Sequence, residues 1–207
     1  MRDIAVTRSN NLCKTSSVVP SPRIRFNFDA EKFTQVAAYL TSHAPQGMTR
    51  KKLFKLIYFA DRMHMAVYAR PVINDFYINM DQGPVPSQAY DLVKGHTGRC
   101  STRDLEVFSR YIRVDGMHLS IAEAPATDLI SGTDKEVLDS VLEKYGHRSA
   151  DFLSALSHRH KAWLASIRNR PIDYTLFFDS EESQQMRVLV EKDQRVRDVV
   201  ANAKLAT

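Results

Sequence analysis

The chain has 207 residues, 43% hydrophobic and 26% charged, an ordinary balance for a soluble globular protein of one domain with appendages. Its apolar runs are too short to span a bilayer, and Cys13 and Cys100 lack the spacing of a disulfide scaffold, so a cytoplasmic setting is expected. Of the net charge of +5, residues 1–27 hold +4 (Arg2, Arg8, Lys14, Arg23 and Arg25 against Asp3), which leaves +1 for the remaining 180 residues, too little for a face making ~6–10 phosphate contacts.

Residues 1–27 are rich in Ser, Thr, Asn and Arg, contain Pro20 and Pro22, and show no sustained period. They are expected to form a basic, flexible arm before a globular domain spanning 28–207. A mitochondrial presequence would share this composition, but the segment lacks an amphipathic helix, and it has no apolar stretch of a secretory signal. Asp29 is placed to cap a helix with Phe33, Val36, Ala37 and Leu40 at helical spacing, ended by Pro45 and Gly47. Thr49 caps a longer helix that runs to about Ala69, where Arg70-Pro71 stops it. The β-branched and aromatic residues from Val72 to Met80 predict a strand. Ser87 is expected to cap a short helix ended by Gly95.

Arg110–Val114 and Met117–Ala122 flank Asp115-Gly116 and predict a hairpin. Thr133-Asp-Lys-Glu136 has the spacing of a capping box, opening a helix with Val137, Leu138, Val141, Leu142 and Tyr145 inward. Ser149 starts a helix whose apolar side is Phe152, Leu153 and Leu156. A charged helix from about Ser180 to Ala203 closes the chain, with Met186, Leu189, Val190, Asp193 and Arg197 suggesting one inward stripe. The expected fold class is mainly α (α+β): helices with a small antiparallel β-sheet inserted between them.

Little in this pattern points to bond-making chemistry. No nucleophile elbow, Walker loop or Gly-x-Gly-x-x-Gly occurs, and there are only seven glycines. His158-Arg-His160 is the only tight histidine pair, and zinc needs three or four ligands, so no metal and no cofactor are expected. Trp163 reads as a core anchor, His64 as a hydrogen-bonded core residue, and Asp61-Arg62 as part of a salt bridge that orients neighbouring elements.

The segment Gln82-Gly-Pro-Val-Pro-Ser87 differs in kind. Two prolines fix their own φ, Gly83 permits a bend or close approach, and a stiffened turn lowers the ordering cost when another chain docks. It reads equally as a simple connector. Together with Lys52–Arg62, Tyr68-Ala-Arg-Pro71, Tyr90-Asp-Leu92, Tyr145-Gly146, Ser149–His158 and Ala162-Trp163, it resembles the Panacea domain family of SocA-like and GepA-like antitoxins over about residues 30–180.

That resemblance implies a mostly helical, non-enzymatic bacterial or phage antitoxin that neutralises a cognate protein toxin by direct contact. A role as adaptor delivering a toxin to a protease is a variant of it, and a second copy of the chain is a further candidate partner. The candidate partner-binding residues are Tyr58, Asp61, Arg62, Gln82, Gly83, Pro84, Val85, Pro86 and Tyr90, with Arg23 and Arg25 of the arm. A nucleic-acid-binding regulator is the competing class, unfavoured because no basic recognition helix is visible. A membrane partner is not expected.

Overall fold

The computed structural model describes residues 24–205. It is mainly helical with small antiparallel sheets. Ile24 is already buried in the core and Phe26 meets the ring of Tyr174 edge-on, so these two side chains pack on the globular body. Residues 1–23 of the proposed arm, Arg23 among them, lie outside the described residues.

Helix α1 (Ala30–His43) begins where the Asp29 carboxylate accepts the amides of Glu31 and Lys32. A short strand β1 (Met48–Thr49) leads into α2 (Arg50–Tyr68), capped by the Thr49 hydroxyl and closed by Ala69 in the left-handed conformation. Every residue from Lys52 to Asp61 on α2 is buried. A helix buried all round occupies the centre of a fold. The elements α5 (Gly132–Tyr145), α6 (Ala150–Ser157) and α8 (Glu181–Leu205) pack around it.

The expected strand from Val72 shrinks to β2 (Tyr77–Met80). Upstream, the amides of Val72 and Ile73 donate to Asp61, and Asn74 takes a φ of 57°. Those amides are therefore unavailable to a ladder. Strand β3 (Gly83–Pro86) pairs antiparallel with β2, Ile78 opposite Val85, and runs directly into α3 (Ser87–Lys94). The expected Ser87 cap is absent. Pro86 holds the cap position without a side-chain oxygen, and the Asp75 carboxylate accepts the amides of Gln88 and Ala89 at 3.1 and 2.8 Å instead.

Helix α4 (Thr102–Tyr111) has no counterpart in the sequence reading; it is capped by Ser101 and packs against α1, with Phe33 and Phe108 stacked. It absorbs Arg110 and Tyr111, so β4 (Ile112–Asp115) starts later than expected. The hairpin with β5 (His118–Ile121) pairs Asp115 with His118. Its two loop residues are thus Gly116, at φ 54°, and Met117, one position beyond the expected turn. Strand order in this sheet is β1-β5-β4.

The capping box of α5 is Ser131 with Asp134, two residues before the predicted Thr133–Glu136. Asp134 is chosen because its carboxylate is also the buried partner of Lys32 at 2.8 Å and Arg70 at 3.0 Å. Burial opposes its ionisation, but hydrogen bonds from His64, Lys32 and Ser131 outweigh that and hold the carboxyl well below its usual range. Ser131→Ala is expected to lower stability by ~1 kcal/mol, read as a shift in urea midpoint. The chain continues through α7 (Lys161–Leu164) and a 3-10 turn (Tyr174–Phe177) to α8, which buries Val190, Ser183 and Gln194 while leaving Leu189 exposed, against expectation.

Candidate partner-binding surface

The polar residues of α2 are fasteners. Lys52 Nζ donates to the Gly146 carbonyl at the end of α5 at 2.6 Å, and Lys55 Nζ donates to the Pro84 carbonyl of β3 at 2.8 Å. Asp61 accepts from the Val72 and Ile73 amides and from the Tyr77 hydroxyl at 2.7, 3.2 and 2.7 Å. His64, buried as expected, reaches the Arg70 carbonyl at 2.7 Å. Burial pushes Lys55 down to about 7, with the nearby charge of Lys51 adding to it, and pushes Asp61 up to about 7 against its hydrogen bonds. The anticipated Asp61-Arg62 salt bridge divides in two. Asp61 pairs with amides and a phenol, whereas Arg62 Nη2 donates to Asp179 at 2.6 and 2.5 Å and Nη1 lies 2.9 Å from His160 Nδ1.

The β2–β3 hairpin is held from several directions. Besides Lys55, the Ser154 hydroxyl donates to the Gln82 carbonyl at 2.5 Å and Trp163 Nε1 donates to the Met80 carbonyl at 3.1 Å. Asn79 Nδ2 donates to the Trp163 and Ser166 carbonyls at 3.1 and 2.8 Å. Trp163 is thus a half-exposed brace stacked on His158, where a core anchor was expected. His158 and His160 turn to different partners, Trp163 and Arg62; among the described residues no group of three His, Cys, Asp or Glu side chains could hold a metal ion.

The two edges of this hairpin differ. That of β2 is occupied, since Asn79 N–H donates to the Arg170 carbonyl and the Ile172 N–H donates to the Tyr77 carbonyl. The outward positions on β3, opposite Asn79 and Tyr77, are Pro84 and Pro86, which carry no N–H. An incoming strand finds no donors there, so this edge resists extension by another chain.

Two hollows flank Val85 and Tyr90. One, of about 360 Å³, is lined by Arg50, Phe54, Lys55, Gln82 and Lys94 together with Met80, Val85 and Tyr90. The other, of about 310 Å³, shares Met80, Val85 and Tyr90 and continues to Ile78, His96 and Arg99. The three shared side chains form a ridge with a hollow on either side.

A model of the family described as antitoxin SocA-like, Panacea domain, matches residues 53–164, more than half of the chain. The chain belongs to this SocA-like Panacea family. Comparison with curated proteins and with solved structures gave no match. The matched span of the Panacea domain contains the whole hairpin and its pins from Lys55, Ser154 and Trp163. No helix among the described residues is long and apolar enough to cross a membrane.

Within the Panacea domain the candidate residues divide by exposure. Tyr58 and Asp61 are fully buried, and Gly83, Pro84 and Pro86 are buried in the hairpin, so they have no surface to offer and act by holding its shape. Gln82 is exposed, and Val85 and Tyr90 are partly exposed on the hollows. Arg62 is occupied by Asp179. Arg25 is exposed, its amide donates to the Gln194 side chain of α8, and it does not line either hollow. Sequence reasoning missed Arg50, Phe54, Lys55 and Lys94. A lysine inside the apolar run of Lys52–Ala60 was the available signal for Lys55; nothing in sequence brings Lys94 beside Arg50.

Proposed function

We propose that this chain is an antitoxin that neutralises a cognate protein toxin by direct binding, without catalysis, and that the braced hairpin with the ridge of Met80, Val85 and Tyr90 is its contact surface. The family match over residues 53–164 carries the antitoxin reading. The choice of surface is supported by the pins on the hairpin, which fix its shape before a partner arrives and so lower the ordering cost of association. Partly exposed tyrosines such as Tyr90 are among the usual centres of binding energy. The basic arm ahead of Ile24 is a second candidate contact, acting by folding against the toxin.

Growth of cells expressing the reading frame encoded beside this one tests the proposal. Arrest by that product alone and restoration by this chain are expected. Val85→Arg, which places bulk and charge on the ridge, and Tyr90→Ala are each expected to weaken the complex at least ~tenfold, about 1.4 kcal/mol. Affinity is measured at a temperature where each variant is folded, since Tyr90 also packs on Phe54 and its loss lowers the melting temperature. Neutralisation that survives both substitutions removes the hairpin as the contact surface. A neighbouring product that never arrests growth, or that this chain neither binds nor restrains, removes the antitoxin reading.

A further inference from the structure

The hollow between the N-terminal turn of α2 and the hairpin concentrates positive charge in a body that is nearly neutral. Arg50, Lys51, Lys55 and Lys94 line it, against the single acid Asp81. Asp81 is taken by Arg168, and Lys51 by Asp151 at 2.6 Å. With Lys55 pushed down to about 7 by burial and so only partly charged near neutral pH, the local balance of these lining residues is between +2 and +3, whereas residues 28–207 sum to +1, so the charge here does not follow from general basicity. Lys94 has no carboxylate partner among the described residues; its ammonium sits 5.6 Å from the Tyr90 ring centroid. Arg50 donates from Nη2 to the Gly116 carbonyl, and its buried Nε–H has no acceptor. Lys55 spends one of three ammonium donors on Pro84.

Apolar groups sit among these cations. Phe54, Val85 and Tyr90 line the hollow, and Met80 and Met117 stand at 37% and 55% exposure. Methionine side chains adapt to irregular partners. The volume of about 360 Å³ is near the lower end of ligand pockets, ~300–1,000 Å³, which suits one or two side chains of a peptide.

We infer that this hollow recognises an acidic segment of a partner protein, in which an aromatic or leucine side chain enters the apolar centre and flanking carboxylates engage Arg50 and Lys94. The inference rests on the antitoxin reading for its biological partner and adds that partner's chemistry. A carboxylate offers the acceptor that Arg50 Nε lacks, in the forked geometry that arginine favours. The proline-blocked edge of β3 directs recognition to side chains, since no strand can be added there. Nucleic acid fits less well: one compact cationic cluster around an apolar centre is not the extended track that several phosphates need.

Selection of random short peptides displayed on phage against the full-length chain tests this without knowledge of the toxin. Enriched peptides are expected to carry at least two Asp or Glu residues close to one Phe, Tyr, Trp or Leu. As synthetic peptides they are expected to bind about tenfold more weakly to Lys94→Glu and to lose further affinity with Arg50→Glu added, with salt weakening the unaltered chain most. Lys94 is exposed, so its single variant remains informative should the double variant unfold. Enrichment without acidic residues, or acidic peptides indifferent to Lys94→Glu, overturns the inference. So does binding of a single-stranded oligonucleotide that Lys94→Glu abolishes while no acidic peptide is enriched. Acidic selection without growth rescue keeps the inference and rejects the antitoxin reading; rescue by an unselective hollow does the reverse.

Discussion

Asp61→Ala is expected to destabilise the protein by ~4 kcal/mol, enough to leave many domains largely unfolded. The substitution strands three buried donors at once: the amides of Val72 and Ile73 and the Tyr77 hydroxyl. Each unsatisfied group costs about 1–3 kcal/mol, with water entering the void recovering part of it. Asp61→Asn keeps an acceptor for the two amides and leaves Tyr77 facing an amide, so a loss nearer ~1 kcal/mol is expected. Denaturant unfolding of the two variants gives the comparison. Equal losses from Ala and Asn would mean that the negative charge, and not acceptor supply, is what Asp61 contributes.

The same pair separates by pH. Burial raises the folded carboxyl to about 7, whereas the unfolded group titrates near ~3.9. Between these values the folded state holds a proton that the unfolded chain has released. The stability linked to that proton is whole below the unfolded value and is lost as pH rises through the folded one. The advantage of the unaltered chain over Asp61→Asn should therefore be largest near pH 4 and fall at up to ~1.4 kcal/mol per unit, reaching the ~1 kcal/mol given above at about pH 7. A difference that does not change with pH would show Asp61 ionised throughout that window.

The contrast between α2 and its surroundings explains what could be read from residues alone. Thr49, the apolar spacing and Ala69-Arg-Pro71 mark the limits of α2 because caps and breakers act within a few residues. Lys52, Lys55 and Asp61 gave no such indication of their partners. Lys52 and Lys55 end on main-chain carbonyls of Gly146 and Pro84, and every residue has a carbonyl, so no pattern distinguishes these two. The cap of α3 shows the same limit: its acceptor is Asp75, separated from the helix by a whole hairpin, while the adjacent Ser87 looked sufficient. The prolines of the Gln82–Ser87 segment fix two backbone φ angles, and that much follows from residue type alone. That the segment is an edge strand and one wall of a cationic hollow depends on Lys94 and Arg50 meeting it from separate helices.

Gly83→Ala is the second large effect expected, at ~3 kcal/mol or more, and it links stability to the contact surface. Gly83 has a φ of +97°, a region costing a residue with a side chain about 1–3 kcal/mol. An added methyl would lie 2.3 Å from Ser157 Oγ and 2.8 Å from Lys55 Nζ, so both must move. Moving Lys55 breaks its bond to Pro84, one of the pins on the hairpin. The two sources of strain separate in a double-mutant cycle. Ser157→Ala alone removes a hydroxyl that donates to the Ser154 carbonyl at 2.7 Å and should cost ~1 kcal/mol. Combined with Gly83→Ala it clears the nearer clash, so the double variant should be more stable than the sum of single losses by about 1 kcal/mol. The backbone penalty at +97° remains in both, and full recovery is not expected. Strict additivity would show that the clash with Ser157 contributes nothing, leaving the dihedral and the displaced Lys55 as the cost. At temperatures where the double variant is folded, its hairpin retains a displaced Lys55, and binding of the selected acidic peptides should still be weakened about tenfold. Peptide affinity equal to that of the unaltered chain would mean that the hollow keeps its shape without the Lys55 pin.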